Sequence, residues 1–381
     1  MAAIDARHQA QFEEARALWA AGEGARARPI FAELAQALPD LAEVQAAYGV
    51  CLYETGSIVE AGQALERALA LDPDHAIAAY NLAHVRLTLG DYAQGFRLYE
   101  RRWASFPRPD WMADPALAWD GQGFPGTLLV VAEQGFGDAL QFARFLPLAA
   151  ARVGRLVAVV PRELVRLIEG IKGVAQVIAG GEPLPHFDRL LPMLSLPHRL
   201  GIDLETLPAP PYLPRPARAF RRGFRPAVGL VWGGRAGTPQ ERARACPFDE
   251  LAARLAPMLG ARFASLQMGE PWAADLARWP GPSAIEDWTV GVEDFHDTAQ
   301  RLGQLDLLVT VDTAIAHLAG ALALPTLVLV GSVPHWVWGI AGNRTPWYPS
   351  LRLFRVGPEG WERALDRLAQ AIEDFLWQGF Q

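Results

Sequence analysis

The sequence contains few cysteines and almost no lysine. Cys51 and Cys246 are the only cysteines among 381 residues, too few for a disulfide framework or a cysteine-based zinc site. Lys172 is the sole lysine, so arginine supplies nearly all the positive charge, and the net charge is −7. This balance gives no sign of a broad nucleic-acid footprint, and we expect no nucleic-acid partner. An anionic ligand would need a local, preorganised site.

Long apolar segments are also missing. The first residues carry charges throughout and lack the apolar core of a signal peptide. The longest apolar run, residues 313–331, is interrupted by His317 and Pro325, which favours a helix, a turn and a buried strand over a membrane span. We therefore expect a cytoplasmic protein without a membrane span.

Several well-known catalytic and nucleotide-binding motifs do not occur. The chain has neither the G-x-x-x-x-G-K-[ST] loop of P-loop proteins nor the G-x-S-x-G elbow of hydrolases. A complete G-x-G-x-x-G followed by a suitably placed acidic residue is missing too, which disfavours a dinucleotide oxidoreductase. The chain is 51% hydrophobic and 20% charged, and its length suggests two or three globular domains.

What the sequence does contain is a repeat of 34 residues. Four positions recur in phase over three copies, namely Gly22, Gly56 and Gly90; Ala27, Ala61 and Gly95; Phe31, Leu65 and Tyr99; and Pro39, Pro73 and Pro107. The glycine would end a first helix, the small and apolar residues would pack a second helix against it, and the proline would close the unit. Residues 1–107 therefore resemble three tetratricopeptide repeats and predict an all-α region. Asp72 and Asp74 flank one of these prolines, so we interpret that D-x-D as structural.

The rest of the chain alternates strands with helices. Residues 108–125 predict a connector, residues 126–215 a first lobe, and residues 226–381 a second lobe with a closing helix. The predicted strands are 127–134, 155–161, 174–178, 188–193, 227–234, 262–268, 305–312, 326–331 and 351–356. Apolar strands between helices are typical of parallel sheets covered on both faces. The fold class is therefore α/β, with two Rossmann-like lobes after the repeats and a ligand cleft between them.

The first candidate site follows the first strand of the first lobe. Gly135 and Gly137 lie where that strand turns into a helix, and Asp138 comes next. Such glycines allow a ligand or another backbone to approach, and a helix N-terminus favours anionic or oxygen-rich groups. The alternative is that the glycines only make the turn and that Asp138 caps the helix. The spacing alone does not decide between them.

The second candidate site lies in the second lobe. Asp312 and Thr313 end an apolar strand, and a helix of small and apolar residues carries His317 in its first turns. Such a junction offers backbone N–H groups to a diphosphate. The alternative is that Asp312 caps the helix and that His317 is a core histidine whose hydrogen bonds are made within the protein. For His317 taken alone, this alternative is the stronger interpretation.

A third candidate is the arginine-rich loop after the strand at 227–234. Gly234 ends that strand, and Arg235, Arg242 and Arg244 could meet phosphate oxygens. A solvated surface loop is the alternative. Gln267, which follows the next strand together with Ser265, is a further candidate for the same cleft.

Taken in order, these segments resemble a known family. EQGFGDALQFARFLP, FDRLLPMLSLP, PPYL, GLVWGG, SLQ, DTAQRLGQLDLLVTVDTAIAHLAGAL and TPWYPSLRLFR resemble bacterial tetratricopeptide proteins with a heptosyltransferase-like glycosyltransferase domain of the GT-B fold. The resemblance implies that Asp138 is the catalytic base and that Arg244 holds the donor phosphate. It also implies that Asp312, Thr313 and His317 line the donor site. Gly135, Gly137, Gly234 and Gln267 complete the expected donor site.

The resemblance also implies a reaction. We expect a glycosyltransferase, inverting by family analogy, that uses a nucleotide-sugar as substrate and needs neither a metal nor another cofactor. A protein held by the repeats, flagellin for example, is the expected acceptor. One departure stands out, because Trp336-Val337-Trp338 replaces the Trp-Arg-Trp frequent in the family. A catalytically inactive scaffold or protein-interaction module is the alternative.

Overall fold

The structure is a computed structural model, and it describes residues 5–104, 109–112, 114–217, 225–234, 244–269, 272–282, 284–331, 334–357 and 359–378. These residues form two compact units. The repeat unit comprises the described residues up to 112 together with 201–205 and 334–340. The α/β unit comprises the remaining described residues. Among the described residues, no helix is both long and apolar enough to cross a bilayer.

Six helices arranged as three hairpins build the repeat unit. They are α1 (Ala6–Ala20), α2 (Gly24–Ala37), α3 (Ala42–Glu54), α4 (Ile58–Leu71), α5 (Ala76–Thr88) and α6 (Tyr92–Tyr99). Gly22, Gly56 and Gly90 each adopt a positive φ, between 80° and 86°, in the turn of a hairpin. Residues with a Cβ rarely adopt this conformation, so glycine at this point ends the first helix of each pair. The predicted repeats are confirmed.

The aromatic segment that departs from the family pattern belongs to the repeat unit. Trp336, Val337 and Trp338 form a buried 3-10 turn. The ring of Trp336 lies 6.0 Å from that of Phe96 and 6.4 Å from that of Tyr92, both on α6. This segment therefore contributes to the apolar packing of the repeat unit.

The first sheet of the α/β unit has four parallel strands. They are β1 (Phe124–Val131), β2 (Val153–Val160), β3 (Gln176–Ala179) and β4 (Arg189–Pro192), in the order β3-β2-β1-β4. The helices between and after them are α7 (Phe136–Phe142), α8 (Leu146–Ala150), α9 (Val165–Ile168) and α10 (Leu196–Leu200). The interior strand β1 contains a buried apolar run at 128–130, and α7 follows it in the chain.

The second sheet has six parallel strands. They are β5 (Ala227–Val231), β6 (Arg262–Ser265), β7 (Glu286–Asp287), β8 (Leu307–Val311), β9 (Thr326–Val330) and β10 (Leu351–Arg355), in the order β10-β9-β8-β5-β6-β7. Its helices are α11 (Phe248–Leu255), α12 (Phe295–Leu302), α13 (Ala314–Ala321) and α14 (Trp361–Gln378). β5, β8 and β9 are buried along their whole length, as in a parallel sheet covered on both faces.

The fold class predicted from the sequence is confirmed. Each of the nine predicted strands overlaps a strand of the structure, and two Rossmann-like sheets in succession are the organisation of the GT-B fold. β7 was missed, because two exposed acidic residues at the edge of a sheet leave no apolar pattern. The predicted domain limits stay a prediction, since the two compact units divide the chain differently and place 334–340 with the repeats.

Candidate functional site

Two strand–helix junctions of the α/β unit face each other. We call residues 132–138, between β1 and α7, the first junction, and residues 312–317, between β8 and α13, the second junction. α7 packs against α13. A Cβ added to Gly137 would lie only 3.1 Å from His317 Cδ2, so glycine permits this approach. The close approach that the sequence predicted here is therefore made by the other lobe.

Asp138 is the acidic side chain of the first junction. It occupies the third position of α7, and its Oδ2 accepts a hydrogen bond of 3.1 Å from the backbone N–H of Gly135. Burial raises the pKa of Asp138 to about 6, and the nearby charge of Asp312 adds to the effect. Hydrogen bonds from the backbone of Gly135 and of Asp138 itself oppose it. Asp138 thus stabilises the start of the helix and can also accept a proton near neutral pH.

The backbone before Gly135 is strained. Gln134 adopts a φ of 66°, a conformation rare for a residue with a side chain. Strain of this kind costs free energy and is often found at functional sites, where the surrounding structure holds it in place. No sequence pattern predicted this conformation, because glutamine has no special preference for positive φ.

The second junction leaves the start of its helix without a side-chain cap. Thr313 is the N-cap residue of α13 in extended conformation, but its side chain makes no hydrogen bond to the helix N–H groups. Its hydroxyl lies instead 3.4 Å from that of Thr310. Backbone N–H groups at such an end can bind an anion, as expected from the sequence.

His317 is buried and held by a tyrosine. Its Nδ1 lies 3.0 Å from the hydroxyl of Tyr348. Burial lowers the pKa of His317 to about 4, the positive charge of Arg144 lowers it further, and Asp312 opposes both. The imidazole is therefore neutral at physiological pH. It has a hydrogen-bond partner, as a core histidine does, and the other edge of its ring packs against Gly137 of the first junction.

Gln267 supports the turn that follows β5. Its Oε1 accepts hydrogen bonds from the backbone N–H groups of Trp232 and Gly233, at 2.9 and 2.8 Å. Its Nε2 donates to the carbonyl of Met268. Both polar atoms of the Gln267 side chain thus bond to backbone groups, so this side chain stabilises the turn after β5. A Cβ added to Gly234 would lie 3.3 Å from Thr313, which brings this turn against the second junction.

The described part of the arginine-rich loop is short. Arg244 is exposed and precedes Cys246, whose N–H donates to the carbonyl of Trp232 just beyond the end of β5. β5 and β8 are neighbours, so Arg244 lies near the sheet edge that carries the second junction. Arg235 and Arg242 lie outside the described residues.

Arg144 was missed by sequence reasoning. It is fully buried, and its guanidinium donates to the carbonyls of Gln141, Pro208 and Trp347. It also lies 4.5–4.8 Å from the ring centroids of Tyr212, Trp347 and Tyr348. An arginine in a stretch, 139–149, that is apolar apart from Gln141 was the only signal, since most of its partners come from distant segments.

Helices α9 and α12 make a contact between the two lobes. Arg166 on α9 forms ion pairs with Asp294 and Asp297 at the start of α12, at 3.1 and 3.2 Å. The rings of Phe136 and Phe295 lie 5.1 Å apart. Within the described ranges, no group of three or more His, Cys, Asp or Glu residues could hold a metal ion.

Comparisons with known proteins agree with the tetratricopeptide repeats seen in the structure. The tetratricopeptide repeat family matches residues 52–112. Protein FlbA from Caulobacter vibrioides is 28% identical over 374 residues, which cover 88% of this chain and 60% of FlbA. The chain thus spans 60% of the length of that relative.

Two solved structures are similar to the α/β part. The glycosyl transferase family 9 protein from Veillonella parvula shares 11% identity at a TM-score of 0.47, over 69% of this chain and 99% of that one. ADP-heptose lps heptosyltransferase II from E. coli shares 17% identity at a TM-score of 0.47, over 66% and 99%. Because both TM-scores are below 0.5, the assignment of the fold rests on the strand order given above and not on these similarities.

Proposed function

We propose that this chain transfers a sugar from a nucleotide-sugar donor to an acceptor hydroxyl, with the cleft between the two junctions as its active site. The observation that carries the proposal is the position of Asp138, whose raised pKa, about 6, belongs to a half-buried carboxylate facing the second lobe. A general base works best when its pKa lies close to the pH at which it operates. A carboxylate that served only as a helix cap would gain nothing from burial.

The proposed step is a single displacement. The acceptor hydroxyl attacks the anomeric carbon of the donor sugar, Asp138 takes the hydroxyl proton, and the bond from that carbon to the phosphate oxygen breaks. The nucleotide leaves with the electron pair of that bond, and the configuration at the anomeric carbon inverts. Charge therefore develops on the leaving phosphate, which needs electrostatic stabilisation.

The second junction supplies that stabilisation in the proposal. The start of α13 carries N–H groups without a side-chain cap, together with the positive end of the helix dipole. Arg244, exposed near the same sheet edge, would add a guanidinium that matches phosphate oxygens. With helix and arginine in these roles, the reaction would proceed without a metal ion or another cofactor.

The repeat unit would hold the acceptor. Tetratricopeptide helices stack into an extended surface that suits a peptide, and the structure confirms three such hairpins. We therefore propose a protein acceptor, with transfer taking place in the cytoplasm.

Nucleotide-sugar binding and turnover test the function. A panel of nucleotide-sugars is screened by thermal shift with the full chain, since a ligand at about 100 times its Kd adds roughly 2.7 kcal/mol of stability. Any donor that binds is then incubated with a cell extract containing candidate protein acceptors, and release of free nucleotide is followed. Binding with nucleotide release is the expected result. Binding without turnover on any acceptor favours the scaffold alternative, and no binding across the panel contradicts the proposal.

A further inference from the structure

The side of α7 that is turned to the second lobe carries a glutamine. Gln141 comes four residues after Gly137, the glycine that lets α7 approach α13. It comes three residues before Arg144, whose guanidinium binds the carbonyl of Trp347 in the second lobe. Residues three or four apart lie on the same face of a helix. Gln141 therefore lies between two positions of α7 that contact the second lobe.

The amide of Gln141 is buried and unpaired. The residue is 0% exposed, and among the described residues neither Oε1 nor Nε2 has a hydrogen-bond partner. The hydrogen bond from Nε of Arg144, at 3.1 Å, goes to the backbone carbonyl of Gln141 and leaves the amide unpaired. Most buried polar groups in proteins are paired, and an unpaired one lowers the population of the arrangement that buries it by roughly five- to hundredfold. The glutamine thus disfavours the contact in which it lies.

The contact between the lobes is deeply buried beyond the end of α7. Arg144 donates to the carbonyl of Trp347 through two nitrogens, at 3.1 Å each, and to that of Pro208, between the lobes, at 3.2 Å. The rings of Phe142 and Phe145 each lie 6.2 Å from that of Trp347. We call Phe142, Arg144, Phe145 and Trp347 the anchor cluster. All four side chains are at most 1% exposed, so this end of the contact is firmly packed.

The contact is more exposed at the start of α7. The rings of Phe136 and Phe295 lie 5.1 Å apart, and neither residue is fully buried. Beside them, Arg166 pairs with Asp294 and Asp297 although half of its side chain is exposed. Exposed ion pairs add little to stability, so this end should separate more readily than the anchor cluster.

We propose that Gln141 keeps the contact between the lobes reversible. The lobes separate at the two junctions, with the anchor cluster as the fixed point, because separation gives the buried amide hydrogen bonds to water. A ligand enclosed between the junctions enters and leaves by the same movement. The proposal concerns the chain without ligand, and it does not rest on the transfer of a sugar.

Distances between spin labels test the movement. One pair of labels is attached at Glu169→Cys and Gln300→Cys, which are exposed on either side of the contact between α9 and α12. A second pair, at Leu148→Cys and Pro349→Cys, follows Phe145 and Trp347 of the anchor cluster by three and two residues. Both native cysteines are buried.

The two pairs should behave differently in the full chain without ligand. We expect the first pair to show a longer distance in addition to a short one, and the second pair to show one distance only. A single short distance for both pairs overturns the proposal. So does an equal spread of distances in both pairs, because it would mean that the anchor cluster is not the fixed point.

Substitutions of Gln141 test its part in the movement. Gln141→Met and Gln141→Leu remove the amide and keep an apolar side chain of comparable size. Each should lower the ratio of separated to closed molecules by at least about fivefold. Gln141→Glu places a charge in the same interface and should raise that ratio. Unchanged distances in all three variants overturn the role of Gln141.

Gln45 provides the matched control. This glutamine of the repeat unit is buried as well, but its Nε2 donates to the carbonyl of Ala35 at 3.0 Å. Gln45→Met loses a hydrogen bond and should lower the midpoint of thermal unfolding of the full chain, whereas Gln141→Met should leave it unchanged or raise it. Losses of equal size would show that the amide of Gln141 is hydrogen-bonded in the folded chain, which overturns the proposal. None of these measurements needs a donor, so their outcome is separate from that of the proposed function.

Discussion

The two junctions have the same architecture and opposite chemistry. Each follows a central strand of a parallel sheet and opens a helix, and α7 and α13 pack against each other. In the first junction, the carboxylate of Asp138 bonds to the start of its own helix and is buried enough to raise its pKa. In the second junction, Thr313 leaves the helix start without a side-chain cap.

This difference divides the proposed reaction into two tasks. In the first junction, the backbone N–H of Gly135 donates to the carboxylate of Asp138 and so holds this proton acceptor in a fixed place. The second junction keeps its N–H groups for an anion. One fold element, repeated in two lobes, can thus supply a base and an anion site, depending on which side chain follows the strand.

The largest expected effect comes from removing the base. Asp138→Asn keeps the size of the side chain and can still accept from Gly135 N–H, but it cannot take a proton. We expect the transfer rate to fall by about 10²–10⁴-fold with little change in donor affinity, measured as single-turnover transfer and by calorimetry. Glu133→Gln is the matched control, since Glu133 is the other acid of this junction and the amide oxygen of glutamine can still accept from the N–H of Leu194. Equal rates for Asp138→Asn and wild type would show that the acid is a helix cap alone.

The same substitution should change the pH dependence of stability. Folding raises the pKa of Asp138 to about 6, so the stability that this group contributes is present below its ordinary pKa and is lost as pH rises through about 6. Asp138→Asn stays uncharged. Its free energy of unfolding relative to wild type should therefore rise by up to about 3 kcal/mol between about pH 3.5 and about pH 7.5.

Urea unfolding across this pH range measures the effect. Asp40→Asn serves as the control, because the Asp40 side chain is 85% exposed and should give no comparable pH-dependent gain. A stability difference between Asp138→Asn and wild type that stays constant with pH would mean that Asp138 is not buried as described.

The second junction can be changed towards the first. Thr313→Asp and Thr313→Asn both place a good capping side chain on α13, but only the aspartate adds a negative charge. We expect Thr313→Asp to weaken nucleoside diphosphate binding by about tenfold relative to Thr313→Asn, measured by calorimetry. The same affinity in both variants would place the diphosphate away from this helix end.

The smallest effect concerns the contact that joins the lobes. Arg166 is 51% exposed although it pairs with two carboxylates. Arg166→Ala should therefore lower the free energy of unfolding only slightly, and less still at high salt. Arg162→Ala, which breaks a single exposed pair with Glu182, is the control. A loss well above that of the control, persistent at high salt, would show that Arg166 is essential for holding the junctions together.

Periodic features of the fold were accessible from the sequence. The 34-residue spacing located the hairpins, because each turn needs the positive φ that Gly22, Gly56 and Gly90 adopt. Apolar runs located nearly all strands, because strands buried on both faces require them. The same patterns pointed to Asp138 and His317, since both follow the end of a strand.

Features that depend on distant partners were not accessible. Arg144 binds carbonyls of Pro208 and Trp347, which no local pattern connects to it. The hydrogen bonds that Gln267 accepts from the backbone N–H groups of Trp232 and Gly233 were likewise not predicted. Tyr348, whose hydroxyl lies 3.0 Å from Nδ1 of His317, also comes from a distant segment. Such contacts arise only when the chain is folded, because side chains far apart in sequence meet by packing and not by periodicity.

The central claim is that Asp138 takes the proton of the acceptor, and the pH dependence of transfer tests it most directly. Single-turnover rates are measured at saturating donor and acceptor for wild type and Asp138→Asn. We predict that the wild-type rate falls about tenfold per pH unit below a pKa near 6, the value that burial gives Asp138, whereas the residual rate of Asp138→Asn shows no such decline. Parallel profiles for the two proteins would contradict the account.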